Sequence, residues 1–421
     1  MNLRRAVSIR SVPVRGPLAA ASEPGVRLPP PLRPGARLGV LDVTKYFGDT
    51  SGGIRTYLLQ KARYVAVRPD LRQVMVIPGS ADQVQTGNGS RIYRLRGPRM
   101  PLNPPYRFLL ATASFQRIVE HERPDLIEVG SPFLVPWLTR FANRRHEAPT
   151  VWFYHRHFPE LVAAEAARDG LVRRTASAVV SRYVRLLGDR FPAVVCSSLY
   201  SASELQLLGV PRVAVAPLGV DLVRFRPERR EWAAETRKAF GLPEGRVALF
   251  GGRFAAEKRL DVVLDAWPEV ERRTRIRLAL IGAGPAFDRL RRHHYAPRVH
   301  WLPFAGDRDR FADLVAACDL YVAPGPFETF GLSVLEALAS GTPVLSTDEG
   351  GGAELVRASR AGELYRTGDP GHLADAAAWL ARQNLSYLGH RGRRYAETHH
   401  DWDGALDRLF EIYGRVRDQG A

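Results

Sequence analysis

The chain has 421 residues, 45% of them hydrophobic and 25% charged, which excludes collagenous, coiled-coil and wholly disordered classes and leaves room for two or three domains with real cores. Its two cysteines, Cys196 and Cys318, lie in apolar runs, so there is no disulfide framework and no Cys-rich metal site, and a reducing compartment fits best. The formal charge of +17 would ordinarily raise nucleic acid or an anionic membrane as a partner, but the only lysines are Lys45, Lys61, Lys238 and Lys258, and genomic base composition can produce an arginine excess of this kind without selection for an anionic partner.

Residues 1–36 carry seven prolines and six arginines against one acidic residue; without periodicity, they read as a disordered extension. From Arg37 onward short β-branched or apolar runs alternate with longer amphipathic segments, the pattern of parallel strands joined by crossover helices. Strands are predicted at 37–43, 74–77, 125–129, 151–154, 193–197 and 213–216. Helices are predicted at 54–67 and 107–121, and a helical segment follows each of the strands 125–129 and 151–154. Within 171–190, Leu171, Val172, Val179, Val180, Tyr183, Val184, Leu186 and Leu187 interleave with five arginines, close to a basic amphipathic helix. Gly219, Pro217 and Pro227 then punctuate 217–228, which marks a domain linker.

The alternation restarts with strands at 247–251, 277–281, 299–302, 319–322 and 343–346 and helices at 258–270, 286–294, 308–317 and 331–340. Helices at 371–382, 386–398 and 402–416 close the chain. The expected fold is α/β, two Rossmann-like doubly wound parallel-sheet domains over 37–220 and 221–400, with a C-terminal segment 401–421. No stretch approaches the roughly 18 consecutive apolar residues of a membrane span, and the N-terminus lacks a signal peptide's apolar core. A cytoplasmic chain, at most peripheral at the inner face of a membrane, is expected.

Ligands of doubly wound sheets bind beyond the carboxyl ends of the strands, so the strand-to-helix loops matter most. Asp-Thr-Ser-Gly-Gly-Ile at 49–54 sets Gly52 and Gly53 just before a helix, which suits an anion or a plain tight turn. It is not a P-loop, since no Gly-Lys-Ser or Gly-Lys-Thr follows. Tyr-His-Arg-His at 154–157 puts His155 where a strand end meets the cleft; the His-x-His pair has no third ligand at a telling spacing, so no metal is assigned. Gly-Gly-Arg-Phe-Ala-Ala-Glu-Lys-Arg at 251–259 combines Gly252 with Arg253 and Lys258. Two converging cations neutralise a departing pyrophosphate without metal, although solvated surface cations read the same way.

Segment 324–343 is the most specific. Glu328 lies in a loop, and Glu336 follows eight residues later on the helix that Gly331 opens. A carboxylate among Val334, Leu335, Ala337 and Leu338 is costly unless paired, and it can accept hydrogen bonds from a diol. Gly284, in Ile-Gly-Ala-Gly-Pro at 281–285, belongs to a weak motif that lacks the third glycine of a dinucleotide fingerprint. Asp-Arg-Asp at 307–309 reads as a helix N-cap cluster rather than a metal-binding Asp-x-Asp.

As a set, Gly-Gly-Arg with Glu-Lys at 251–258, Gly-Ala-Gly-Pro at 282–285, and the Glu-x7-Glu pair of 328 and 336 followed by Gly-Thr-Pro resemble the retaining glycosyltransferase family 4, of GT-B fold. Gly52, Gly53, His155 and Pro-Leu-Gly-Val-Asp at 217–221 agree in order and spacing, so the resemblance spans roughly 37–416. It implies that Glu336 binds the ribose of a nucleoside-diphosphate sugar (GDP-mannose or a UDP-sugar) and that Glu328 binds hydroxyls of the sugar. Arg253 and Lys258 would hold the diphosphate, with help from Gly252, Gly284 and backbone amides at Phe330, Gly331 and Leu332. Gly52, Gly53 and His155 would face the reacting centre from the first domain. The C-terminal helix would cross back to that domain. Transfer would need no metal and no cofactor, the nucleotide sugar being a substrate. The sequence departs from the family's usual pattern at Gly325, where serine is common, at Arg259, where glycine often follows the lysine, and at Leu218, where asparagine is frequent.

The acceptor would be a hydroxyl of a glycan, a lipid-linked or a small-molecule substrate. The helix 171–190 makes peripheral membrane contact a further expectation, whereas no basic patch interleaved with aromatics speaks for nucleic acid. A nucleotide-sugar epimerase of the same architecture and an inactive nucleotide-sugar-binding protein remain alternatives.

Overall fold

Apolar runs without alternation belong to strands covered on both faces. In the computed structural model, which describes residues 28–48, 52–101, 106–155, 170–303 and 306–420, such runs form the centres of two sheets. The first joins β1 (Leu38–Val43), β2 (Leu71–Gly79), β3 (Gln83–Thr86), β4 (Ser90–Arg96), β5 (Leu126–Val129), β6 (Thr150–Tyr154), β7 (Ala193–Cys196) and β8 (Val213–Val215) in the order β3-β4-β2-β1-β5-β6-β7-β8. Every pairing is parallel except β3 on β4. Its helices include α1 (Gly53–Ala66), α2 (Thr112–Glu122), α3 (Leu134–Ala142), α4 (Gly170–Gly188) and α5 (Leu199–Leu207).

The second sheet is wholly parallel, in the order β11-β10-β9-β12-β13-β14. It consists of β9 (Val247–Gly251), β10 (Arg277–Ile281), β11 (His300–Leu302), β12 (Leu320–Ala323), β13 (Val344–Thr347) and β14 (Gly362–Tyr365). The accompanying helices are α6 (Ala233–Ala239), α7 (Leu260–Thr274), α8 (Phe287–Arg291), α9 (Arg308–Ala317), α10 (Leu332–Ala339), α11 (Gly350–Ser359), α12 (Pro370–Leu380), α13 (Leu385–His399) and α14 (Trp402–Gly420). In each sheet the strand order reverses at its first strand, between β1 and β5 and between β9 and β12. At such a point neighbouring loops run apart and open a crevice.

Several expectations need correction. Residues 28–36 are not a loose extension: Leu32 is buried and its amide donates to Glu122 Oε2 at 3.0 Å, while Arg33 donates to the carbonyls of Val65, Arg68 and Leu71. Residues 1–27 lie outside the described residues. The strand expected at 74–77 runs over Leu71–Gly79, and the hairpin β3–β4 beside it was not anticipated. The helix expected at 107–121 starts only at Thr112, the one at 286–294 is the short α8, and α11 and β14 were missed.

Helix α14 returns to the first sheet. Phe410 packs on Tyr64 with ring centroids 5.3 Å apart, and Arg417 donates to the Arg37 carbonyl at 3.1 Å. The linker is stitched to the segment before this helix, the Val220 amide donating to the His400 carbonyl at 2.8 Å.

Candidate active site in the cleft

On the second domain, the loop 324–331 leaves β12 at the sheet's reversal point and enters α10. Gly331 has φ of +87°, and a Cβ there would sit 2.9 Å from Cα of Gly352, so only glycine lets this loop press against the start of α11. The contact is sealed by the Gly351 amide, which donates to the Glu328 carbonyl at 2.6 Å. Glu328 is thereby aimed at the helix-turn after β9, where Lys258 Nζ pairs with its Oε1. Two residues assigned separately from the sequence thus form one ion pair.

Glu336 lies on the inner side of α10 and is buried, its carboxylate held by Arg308 Nη2. Arg308 is fixed in turn over the rings of Phe225 and Phe311, at 5.1 and 5.8 Å. Burial pushes the Glu336 carboxyl above the ordinary carboxylate range, and Arg308 pulls it part of the way back. Arg308 was passed over in the sequence because it sits inside the Asp-Arg-Asp cluster. The flanking aspartates do behave as a capping group: Asp307 accepts from the amides of Asp309 and Arg310, and Asp309 pairs with Arg224 and Arg229.

Arg253 is exposed in the loop after β9 and has no hydrogen-bond or ion-pair partner among the described residues. Gly284 and its neighbour Gly282 have a packing reason for their identity, whereas a Cβ on Gly252 would meet only the Phe250 ring, at 3.2 Å. A Cβ on Gly284 would lie 2.3 Å from the Phe254 carbonyl oxygen, and one on Gly282 would lie 1.8 Å from that of Gly252. The two loops therefore meet backbone to backbone. Phe330 is buried against His400, with centroids 5.7 Å apart.

On the first domain, Gly52 caps α1 and Gly53 begins it; residues 49–51 lie outside the described residues. A Cβ on Gly53 would be 3.8 Å from Cδ2 of Leu332, the first residue of α10. The starts of α1 and α10 therefore meet across the cleft, their partial positive charges turned to the same space. His155, just beyond β6, stacks on Phe153 at 4.2 Å and lies 5.5 Å from the ring of Tyr57. The residue is half-buried. Burial, aided by Lys61 and opposed by Glu128, brings its imidazole down to about 4, so the ring is neutral near pH 7. His157, the other half of the His-x-His pair, lies outside the described residues.

Behind His155 is a buried cluster that sequence reasoning missed. Lys61 donates to Asp42 Oδ1 at 2.6 Å, to Glu128 Oε2 at 3.0 Å and to the Tyr413 hydroxyl at 2.9 Å. Tyr57 and Tyr413 also donate to Glu128, and Gln73 donates to Asp42. Burial lifts Asp42 to about 6, with Lys61 opposing and Glu128 reinforcing the rise. For Glu128 burial acts upward too, but Lys61, His155 and the two tyrosine hydroxyls outweigh it and hold that carboxyl low. The only sequence signal was the rarity of lysine.

Residues 51–224 match the family model described as Glycosyltransferase Family 4, and residues 245–383 match that of Glycosyl transferases group 1. The chain is 30% identical over 326 residues to a GDP-mannose-dependent alpha-(1-6)-phosphatidylinositol dimannoside mannosyltransferase of Mycobacterium tuberculosis, covering 76% of this chain and 82% of that protein. It is also 30% identical over 353 residues to a GDP-mannose-dependent alpha-mannosyltransferase of the same species, over 81% and 86% of the two chains. Among solved structures, sucrose-phosphate synthase from Thermosynechococcus elongatus superposes with a TM-score of 0.73 at 19% identity, over 90% of this chain and 99% of that one. Anabaena HepE in complex with UDP-glucose superposes with a TM-score of 0.68, also at 19% identity, over 90% and 100%. These likenesses establish the shared two-domain architecture, GT-B.

Proposed function

The chain belongs to glycosyltransferase family 4 and is a nucleotide-sugar glycosyltransferase, and we propose that it moves mannose from GDP-mannose to a hydroxyl of a lipid-linked glycan, with retention and without metal. The relatives at 30% identity, both named as GDP-mannose-dependent, support the donor, and the phosphatidylinositol dimannoside in the name of the first supports a lipid-linked acceptor. The observation that carries the mechanistic reading is the pairing of two carboxylates with two cations around the start of α10, Glu328 with Lys258 and Glu336 with Arg308.

In this reading Glu336 accepts hydrogen bonds from the ribose diol, and Arg308 keeps it ionised so that both its oxygens are acceptors. Glu328 takes hydroxyls of the sugar. Lys258, already neutralised on one side by Glu328, turns to the diphosphate together with Arg253. As the anomeric bond breaks, negative charge grows on the departing phosphate, and these two cations with the amide ends of α10 stabilise it. His155, neutral near pH 7, offers a hydrogen bond without adding positive charge beside an anomeric carbon that is itself becoming cationic. No side chain is assigned as nucleophile, which matches front-face attack by the acceptor with the leaving phosphate as base.

A screen of nucleotide sugars by released nucleotide, with and without chelator, tests the reading. GDP release from GDP-mannose that depends on acceptor and survives chelation is expected. Release of UDP alone would overturn the donor assignment, donor turnover with no acceptor dependence would favour an epimerase, and donor binding with no turnover would favour a sensor.

A further inference from the structure

The loop that carries Glu328 is tied to the opposite domain through its next residue. Thr329 Oγ1 donates to the His155 carbonyl at 2.9 Å. The Thr329 carbonyl in turn accepts from Ser198 Oγ at 2.5 Å and Ser201 Oγ at 3.0 Å, both at the start of α5. A single residue therefore joins the main chain bearing Glu328 to the main chain bearing His155 and to the helix that follows β7. A second tie lies alongside, the Glu354 carboxylate of α11 accepting from the amides of Leu199 and Tyr200 at 3.2 and 2.9 Å.

None of these bonds belongs to a sheet or a helix ladder. They add nothing to either domain alone, because when the domains part every group in them can be solvated. What they determine is separation. The hydroxyl of Thr329 holds the His155 main chain against the loop whose preceding side chain is paired with Lys258, and the starts of α1 and α10 meet in the same closed arrangement. Groups that act on one anomeric centre from two domains need their spacing held to a fraction of an ångström.

We propose that Thr329 is a positioning residue for glycosyl transfer, its hydroxyl latching the Glu328 loop to the His155 strand end so that the cleft closes to one defined width. The chemistry of the latch is specific. Valine has the shape of threonine without the donor, and serine has the donor without the methyl.

The inference rests on the glycosyltransferase reading for its consequence in catalysis, so the test uses two readouts. Thr329→Val is expected to lower kcat roughly five- to ten-fold, the worth of one lost hydrogen bond, while GDP affinity by calorimetry stays within about two-fold. Thr329→Ser is expected to restore kcat. By X-ray scattering, Thr329→Val should show a larger radius of gyration than wild type, and Thr329→Ser should not. Unchanged scattering for Thr329→Val overturns the latch whatever the activity. Equal impairment by Val and Ser overturns it too, since the methyl would then be what matters. A wild-type protein that opens on Thr329→Val yet releases no nucleotide from any sugar donor would uphold the latch and refute the transferase reading.

Discussion

Lys61→Met isolates the buried cluster beneath His155. The wild-type ammonium is fully buried and donates to Asp42, Glu128 and Tyr413 within 3.0 Å. Its removal leaves two carboxylates in the interior with no cation, and breaking such a pair typically costs about 3–5 kcal/mol. At roughly 2–4 °C per kcal/mol this lowers the melting midpoint by about 6–20 °C. The penalty has a signed pH dependence. Without Lys61 Asp42 rises further above its unfolded value and Glu128 loses the cation that holds it low, so burial raises it too; the folded variant then binds more protons than the unfolded chain, and its stability falls as pH rises through that interval. Wild type shares the trend only in part, because Asp42 is raised to about 6 while Glu128 is held low. The gap between variant and wild type should therefore be wide at pH 8 and much narrower at pH 5. Thermal melts of both proteins at the two pH values measure it, and adding Asp42→Asn to the variant should recover part of the loss at pH 8. A midpoint lowered by the same amount at both pH values, or by less than about 2 °C, would refute the assignment of Lys61 as the charge that balances Asp42 and Glu128.

Arg308→Ala should raise the donor KM about ten-fold, the value of one charge-assisted bond, because the buried Glu336 then binds its proton more tightly; the KM should fall as pH rises, and a flat pH profile would oppose this role. Glu336→Ala and Lys258→Ala should each leave the fold intact and reduce transfer below about a tenth of wild type, since each lost contact is worth roughly 1.5–3 kcal/mol. Chelation should leave transfer unchanged, whereas loss of activity restored by a divalent ion would reopen the roles of Asp307 and Asp309. No helix among the described residues is long and apolar enough to cross a membrane, but Leu134, Trp137 and Phe141 on α3 and Val179 and Leu186 on α4 are exposed, with Arg144 over Phe141 and Arg190 over Trp137. Cosedimentation with anionic vesicles at low salt, lost at high salt and weakened by Trp137→Ser with Phe141→Ser, is the expected result; no binding at low salt would leave a soluble acceptor as the better reading.

What could be read from the sequence depended on whether the cause was local. Strands β9 and β10 appear at 247–251 and 277–281 as expected, because a strand covered on both faces is an unbroken apolar run. Helix α9 begins where Asp307 caps it. The hairpin β3–β4 was missed: β3 is nearly all exposed and β4 alternates, so neither resembles its buried neighbours. Helix α11 was missed because Gly350, Gly351 and Gly352 look like a breaker. They are small because loop 324–331 lies against them, which only the tertiary structure reveals. The same holds in the cleft. Glu328, Gly331 and Glu336 stood out by spacing and Lys258 by its own motif, but neither ion pairing did, and Arg308 was passed over altogether. Lys258 is 70 residues from Glu328 and Arg308 is 28 from Glu336, and no periodicity connects them. Position 259 shows the converse. Its φ of +48° explains why glycine suits it, and Arg259 occupies it with a strained backbone.

Arg259 belongs to a wider pattern in which arginines of this chain serve backbone roles. Arg123, Arg275 and Arg360 end α2, α7 and α11 in left-handed conformations, a place where glycine or asparagine is usual. Other arginines serve main-chain carbonyls: Arg72 those of Glu122 and Arg123, Arg230 those of Ala316 and Cys318, and Arg393 those of Leu222, Phe225 and Ala339. A guanidinium with five donors suits this work, since the last carbonyls of a helix have no partner within it. Arginine here has taken over duties that glycine caps, side-chain amides or water perform elsewhere, so net charge is a poor guide to what the protein binds. The informative cations are those whose donors are not occupied in this way. Arg253, exposed in the loop after β9 without a hydrogen-bond or ion-pair partner among the described residues, is one of them, and it is the cation that the proposed donor site would draw on for the diphosphate.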